Sequence, residues 1–257
     1  VDQIAQGMGG LMSVTGESGR GPMRAGTAIA DLSAGLFGAL GTLIALIERE
    51  RSGEGQWVQT SLLESQIFML DFQASRYLMA GELPKQEGNN HPTSAPTGRF
   101  KTSDGYINIA PPPPLWARFC EAIDREDLRA QPEFSTPEAR RENRNHLNDL
   151  IEEITVRRSS SEWIEHFNSY GVPCGPIYSL DQTFSDAQVQ HLGIAQTVPS
   201  PKLGDICLVG QPVRLSRTPS KLEISAPECG EHTELILTRL GYSDEGIEQL
   251  RAEGAID

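Results

Sequence analysis

The chain has 257 residues, 35 of them acidic against 22 basic, for a formal charge of −13. That balance repels polyanions, so nucleic acid and anionic membrane are poor default partners. With 38% apolar residues, 25 glycines and 17 prolines, the composition is that of one large globular domain or two ordinary ones, not of a disordered chain.

A Gly-rich start, GMGGLMSVTGESGRGP, leads to a helix predicted from about Ile29 to Arg51, stopped by SGEGQ. Its longest apolar run, Leu32 to Ile47, is 16 residues, short of the roughly 20 that cross a bilayer, and it reads as a buried core helix. No basic region precedes it, so a secretory signal is not supported. Gly35, Gly38 and Gly41 make a smooth stripe that another backbone can approach. WVQTSLL alternates like a short strand, and SLLESQIFMLDFQASRYLM has the spacing of a second helix.

At Ala80 the texture changes to AGELPKQEGNNHPTSAPTG, a polar linker or active-site loop. Asp104-Gly105 between two β-prone runs predicts a hairpin, and the prolines before LWARFCEAI suit a first helical turn. Helices are predicted at about 137–157 and 160–170, the second from the Ser/Glu pattern of SSSEW. GVPCGPIYS reads as extended, short strands fall within about 194–218, and the last helices lie in EHTELILTRLG and DEGIEQLRAEG. Cys120, Cys174, Cys207 and Cys229 form no CxxC pair, which argues against zinc or a disulfide framework and for a reducing cytoplasm. The chain opens on Val1 and is expected to start partway through a longer polypeptide or after processing.

Several residues invite a chemical reading. Asp31 adjoins the long apolar helix and is either its N-terminal cap or a carboxylate placed for chemistry. Gln6, Gly9 and Gly10 lie in a stretch that by composition suits a Gly turn needed for sheet packing. Arg24 suits a phosphate or carboxylate, although a surface arginine is commoner. Glu231-His232 is either an acid/base pair or part of a helix start, with a capping box from Thr233 or a packed histidine favoured. His146, His166 and His191 share no metal-ligand spacing, so no metal is assigned.

Four segments in order, DQIAQGMGGLMSVTG, GPMRAGTAIADLSAG, RSGEGQWVQTSLLES and GEHTELILTRLGYSDEGIEQL, with GNNHPTSAPTGRFKTSDGYINIA and YGVPCGPIYS between them, resemble the family III CoA-transferases, the CaiB/BaiF group that includes formyl-CoA transferase. The resemblance runs over the whole chain but corresponds to the later part of such a protein.

It implies an α/β fold: part of a Rossmann-like, CoA-binding large domain from 1–84 and 189–257, plus a small α+β domain from 85–188, in an interlocked homodimer. Asp31 matches the family's nucleophile, with the cap role able to coexist. Gln6, Gly9 and Gly10 match the stretch near the thioester. Gly88, Asn89, Asn90 and His91 stand where formyl-CoA transferase has a glycine-rich lid, as candidates to bind the acceptor. The implied activity moves CoA from an acyl-CoA to a small carboxylic acid, with the CoA thioester as substrate and no tightly bound cofactor. The same scaffold supports α-methylacyl-CoA racemisation, and an inactive fragment needing a partner chain is a third reading.

Overall fold

Alternation decides the best-defined part of the structure. In GRFK and YINI the apolar residues recur every second position, so Phe100, Ile107 and Ile109 face one way and are buried while Arg99 and Asn108 face solvent. In the computed structural model, which describes residues 1–256, they form the expected hairpin, β1 (Gly98–Lys101) and β2 (Tyr106–Ile109), with Phe100 opposite Ile107. The extended segment GVPCGPIYS supplies β3 (Cys174–Pro176), antiparallel to β2.

The chain divides into two units, Val1–Ile177 and Tyr178–Asp257. The first holds α1 (Asp2–Met8), α2 (Leu11–Val14), α3 (Ile29–Ser52), α4 (Leu62–Phe68), α5 (Phe72–Ala80), β1, β2, α6 (Trp116–Ala122), α7 (Pro137–Glu142), α8 (Arg144–Thr155), α9 (Ser160–Ser169) and β3. Its core sits on the three-stranded sheet. Leu147 and Ile151 on α8 and Trp163 and Phe167 on α9, each pair four residues apart, point inward with Phe119 and Phe134. Phe167 stacks between Phe119 at 5.8 Å and Trp163 at 5.1 Å. Thr155 Oγ1 donates to Lys101 O at 2.6 Å, fixing α8 against β1.

The second unit contains α10 (Leu180–Ser185), α11 (Ala187–Leu192), a hairpin of β4 (Ala195–Ser200) and β5 (Gly204–Val209), then α12 (Thr233–Arg239) and α13 (Asp244–Ala252). Both sheets are antiparallel.

Four sequence expectations are corrected. WVQTSLL forms no strand, because Val58 and Thr60 lie against the glycine stripe of α3 and not beside a strand: a Cβ on Gly41 would stand 2.8 Å from Val58 Cγ1. The second helix is two helices, since Asp71 has φ 51° and ends the run between α4 and α5. Asn143 likewise separates α7 from α8. Finally, α3 is not buried: of its residues only Ala30 and Ser33 are, while Leu36, Leu40, Leu43 and Ile47 are exposed along one stripe. By length and composition alone α3 could cross a membrane.

The start of α9 is locally self-sufficient. Ser159 Oγ accepts from Glu162 N, Glu162 accepts from Ser159 N at 2.8 Å, and Asp104 of the hairpin turn accepts from Ser160 N at 2.8 Å. These bonds favour the ionised carboxyls. The Ser160 backbone bond holds Asp104 below its ordinary 3.8, and the Ser159 hydroxyl bond holds Glu162 below 4.5. A depressed folded-state value means that the contribution is complete above the unfolded value and is lost as pH falls through the lower folded one. Ser159→Ala is therefore expected to cost about 1 kcal/mol. In wild type the urea midpoint is expected to drop on acidification below about pH 4, and less steeply in Asp104→Asn.

Candidate active site

The segment before α3 is polar, glycine-containing and without secondary structure of its own, so something outside it must fix its path. That support comes from α1. Spacing of four residues puts Asp2 and Gln6 on one face of α1. Gln6 Nε2 donates to Asp2 Oδ2 at 2.7 Å and to Thr27 O at 3.1 Å, and Gln6 Oε1 accepts from Ala25 N at 2.9 Å. Asp2 Oδ1 accepts from Ala30 N at 2.9 Å, taking one of the orphan donors at the start of α3. Gln6 is 0% exposed and Asp2 8%.

This corrects the capping role expected of Asp31. The N-cap of α3 is Ala28, which has no side-chain acceptor, and the helix start is capped by Asp2 from 28 residues upstream. Asp31 stands two residues after Ile29, in the first turn. Its side chain is exposed and makes no hydrogen bond or ion pair among the described residues. The carboxylate is thus free for an incoming group while its backbone is held from below.

Gln6 reaches the site region through the loop alone, because its amide is spent inside the protein. Gly9 is buried where α1 meets α4: a Cβ there would stand 2.6 Å from Gln66 Cγ and 2.8 Å from Ala5 O. Gly10 has φ +84° and turns the chain from α1 into α2, a conformation that favours glycine. Arg24 lies 3.9 Å from Asp2 Oδ2 with its side chain half exposed.

Residues 88–91 form a second group. Gly88, at φ +60°, donates its N–H to Gly16 O at 2.9 Å, and Gln86 Nε2 donates to Thr15 O and Gly21 O at 2.6 and 2.7 Å. The loop is therefore tied to the segment between α2 and α3. Asn90 Oδ1 accepts from Asn148 Nδ2 at 2.8 Å, and Asn89 is exposed. The exposed His91 ring stacks on Phe72 at 5.7 Å, and its Nδ1 accepts from Thr93 N at 3.3 Å. Phe72, Asn89, His91, Thr97 and Asn108 line an open groove of about 450 Å³. Among the described residues no hydrogen bond or ion pair joins Asp31 to residues 88–91.

Sequence reasoning missed the residues that hold this loop. Arg144, 8% exposed, donates to Glu87 Oε2 at 2.7 Å and to Pro92 O at 3.1 Å, while Arg140 donates to Ala95 O at 3.1 Å and lies over the Trp116 ring at 4.6 Å. Both belong to a charged run with no local mark of such a role. Asp2 was also missed, although its four-residue spacing from Gln6 was a usable signal. In the second unit, the capping box expected from Thr233 does not form. His232 occupies the N-cap of α12 without a side-chain bond, and Glu231 accepts from Glu228 N at 2.7 Å. Of the cysteines, all four are free; burial pushes the Cys120 thiol up to about 12, which makes it a poor nucleophile.

The chain belongs to CoA-transferase family III, whose sequence pattern it matches over residues 1–233. It is 34% identical over 258 residues to the succinyl-CoA:glutarate CoA-transferase of Mus musculus, covering 100% of this chain and 59% of that one. It is 32% identical over 271 residues to the formyl-CoA:oxalate CoA-transferase of Streptomyces avermitilis, covering 98% of this chain and 66% of that one. The crystal structure of a CaiB/BaiF family protein from Brucella suis superposes with a TM-score of 0.78 at 33% identity, over 93% of this chain and 62% of that one. This chain thus spans about three fifths of the length of such relatives.

The close fit at Gly9 gives a direct test of the support under the site. Gly9→Ala must displace Gln66, whose fully buried amide has no partner for either polar atom among the described residues. The substitution is expected to cost about 1–3 kcal/mol through overpacking. Thermal unfolding checks this, and an unchanged midpoint would show that α1 and α4 are free to move apart.

Proposed function

We propose that this protein moves CoA from an acyl-CoA donor to a carboxylic acid acceptor through an aspartyl-CoA thioester on Asp31. The observation that carries this reading is the placement of Asp31: an exposed, unpaired carboxylate in the first turn of a long helix, on backbone fixed by buried groups. Membership of CoA-transferase family III and the CoA-transferase activities of the relatives support it.

The chemistry suits a carboxylate, since exchanging a thioester for another needs no net hydrolysis. An Asp31 oxygen attacks the donor thioester carbonyl, forming a mixed anhydride and releasing CoA thiolate. The thiolate then attacks the aspartyl carbonyl and expels the donor acid, leaving aspartyl-CoA. An acceptor carboxylate attacks that thioester, giving a second anhydride and free thiolate. Attack of the thiolate on the acceptor's carbonyl completes the new acyl-CoA and restores Asp31. Each tetrahedral stage needs N–H donors, and loss of one such donor typically costs about 100- to 1000-fold. Water must be kept from the anhydride.

In this reading residues 1–84 and 189–257 contribute to the large CoA-binding domain, and 85–188 form the small one, in an interlocked homodimer. Gly9 and Gly10 carry the chain near the thioester, Gln6 lies beneath, and Gly88, Asn89, Asn90 and His91 serve the acceptor. The exposed leucine stripe of α3 supports a covering partner, because large apolar patches are rarely left in water. A second copy of the chain is the proposed cover. The substrate is a CoA thioester, no tightly bound cofactor takes part, and the compartment is the cytoplasm, in keeping with four free cysteines.

Asp31→Asn in the full-length natural protein is the test. Because Asp31 is not the cap, the variant is expected to fold as wild type does and to lose CoA exchange between two acids by at least about 1000-fold. With acyl-CoA present, borohydride should reduce the Asp31 carboxyl of wild type alone to an alcohol, or hydroxylamine convert it to a hydroxamate, with release of CoA in each case. A variant that retains exchange would refute the nucleophile.

A further inference from the structure

We propose that Asp2 and Gln6 act as a positioning pair that sets where the Asp31 carboxylate stands, an inference that rests on the reading of Asp31 as nucleophile. Four hydrogen bonds support it. One joins the two side chains, and the other three end on Ala25, Thr27 and Ala30, within the stretch that leads straight into Asp31. That stretch contains Gly26 and has no strand partner; Met23 N ties its upstream end to Met12 O and Thr15 O, and between there and α3 the bonds to Asp2 and Gln6 are its side-chain hydrogen bonds to α1.

Burial separates this role from catalysis. Gln6 is 0% exposed and Asp2 8%, and their polar atoms are already engaged, so neither is available to touch substrate. Burying a carboxylate is costly unless it is hydrogen-bonded, and here its oxygens are spent on Gln6 and on the backbone N–H of Ala30, with the half-exposed Arg24 guanidinium 3.9 Å from Oδ2. A serine or threonine at position 28 would cap α3 locally. Ala28 stands there instead, so the start of α3 takes its position from α1. The Asp31 side chain has no bond of its own to correct an error in its backbone. The consequence is a residue pair that alters the rate of the chemical step and leaves acyl-CoA binding largely alone.

The test exchanges donor and acceptor across the pair in the full-length natural protein. Asp2→Asn sets an amide donor against Gln6 Nε2. Gln6→Glu sets a carboxylate oxygen against Asp2 and Thr27 O. The double variant restores one donor opposite one acceptor and the original charge. Each single variant is expected to lower kcat by about 100-fold, the cost of a displacement near 1 Å, with KM for acyl-CoA within about twofold. The double variant should recover at least about tenfold. Gln6→Met, which keeps length and burial without any bond, provides a second route if a single variant does not fold; it should lower kcat likewise and gain nothing from Asp2→Asn. Native kcat in folded single variants, a loss confined to KM, or a folded double variant no better than the worse single would each overturn the proposal. Asp31→Asn, measured alongside, separates the two ideas: if it is inactive while the pair variants keep native kcat, only the positioning role fails. If Asp31→Asn retains transfer, the nucleophile reading fails and the positioning role with it.

Discussion

The bond from Ala30 N–H to Asp2 is the constraint on which the site depends. A helix start leaves four N–H groups without partners, and the usual remedy is a polar side chain at the N-cap. With Ala28 at that position, α3 is anchored from α1, and the anchor carries further bonds that fix the loop between them. α1 in turn is held on α4 by the close approach at Gly9. The exposed carboxylate of Asp31 therefore sits at the end of a chain of contacts made of small and buried residues. Its freedom from internal partners and the rigidity of its backbone have the same origin.

A second set of contacts holds the loop after α5. Arg140 and Arg144 reach from α7 and α8 to backbone carbonyls of residues 92 and 95, and Arg144 pairs with Glu87. Charged, planar side chains with several fixed donors suit this work, since a loop without secondary structure offers mainly carbonyl oxygens. The core under β1 and β2 thereby governs the course of Gly88 to His91, although none of those residues enters that core.

Much of this was legible in the sequence where local rules act alone. The hairpin at Asp104-Gly105 followed from alternation and turn chemistry, and the Ser159–Glu162 capping box from its spacing. The glycine stripe of α3 does receive Val58 and Thr60, but through their side-chain methyl groups and not through an approaching backbone, and the segment that carries them is not a strand. Periodicity carried the second helix through Asp71 because a single residue at positive φ leaves no trace in apolar spacing. The cap reading of Asp31, one of two left open, fails because aspartate beside a helix start is a preferred cap by local rules, whereas the cap supplied by Asp2 from 28 residues away depends on tertiary packing. Exposure of α3 was likewise unreadable, since apolar composition states what a helix prefers to bury and not what is present to cover it. The assignment of Asp31 came from the ordered family segments; no spacing rule distinguished it from a cap.

The central claim, that Asp31 is the acyl acceptor, has a consequence in oxygen atoms. In the proposed sequence the attacking acceptor carboxylate gives one of its oxygens to Asp31 when the second anhydride is opened, and the departing donor acid carries away an oxygen that belonged to Asp31. The decisive measurement is peptide mass spectrometry of the full-length protein after turnover with an acceptor acid labelled with heavy oxygen. The account requires heavy oxygen in the Asp31 carboxyl, and none there when the acyl-CoA donor is omitted. Sustained CoA transfer with an unlabelled Asp31 would contradict it.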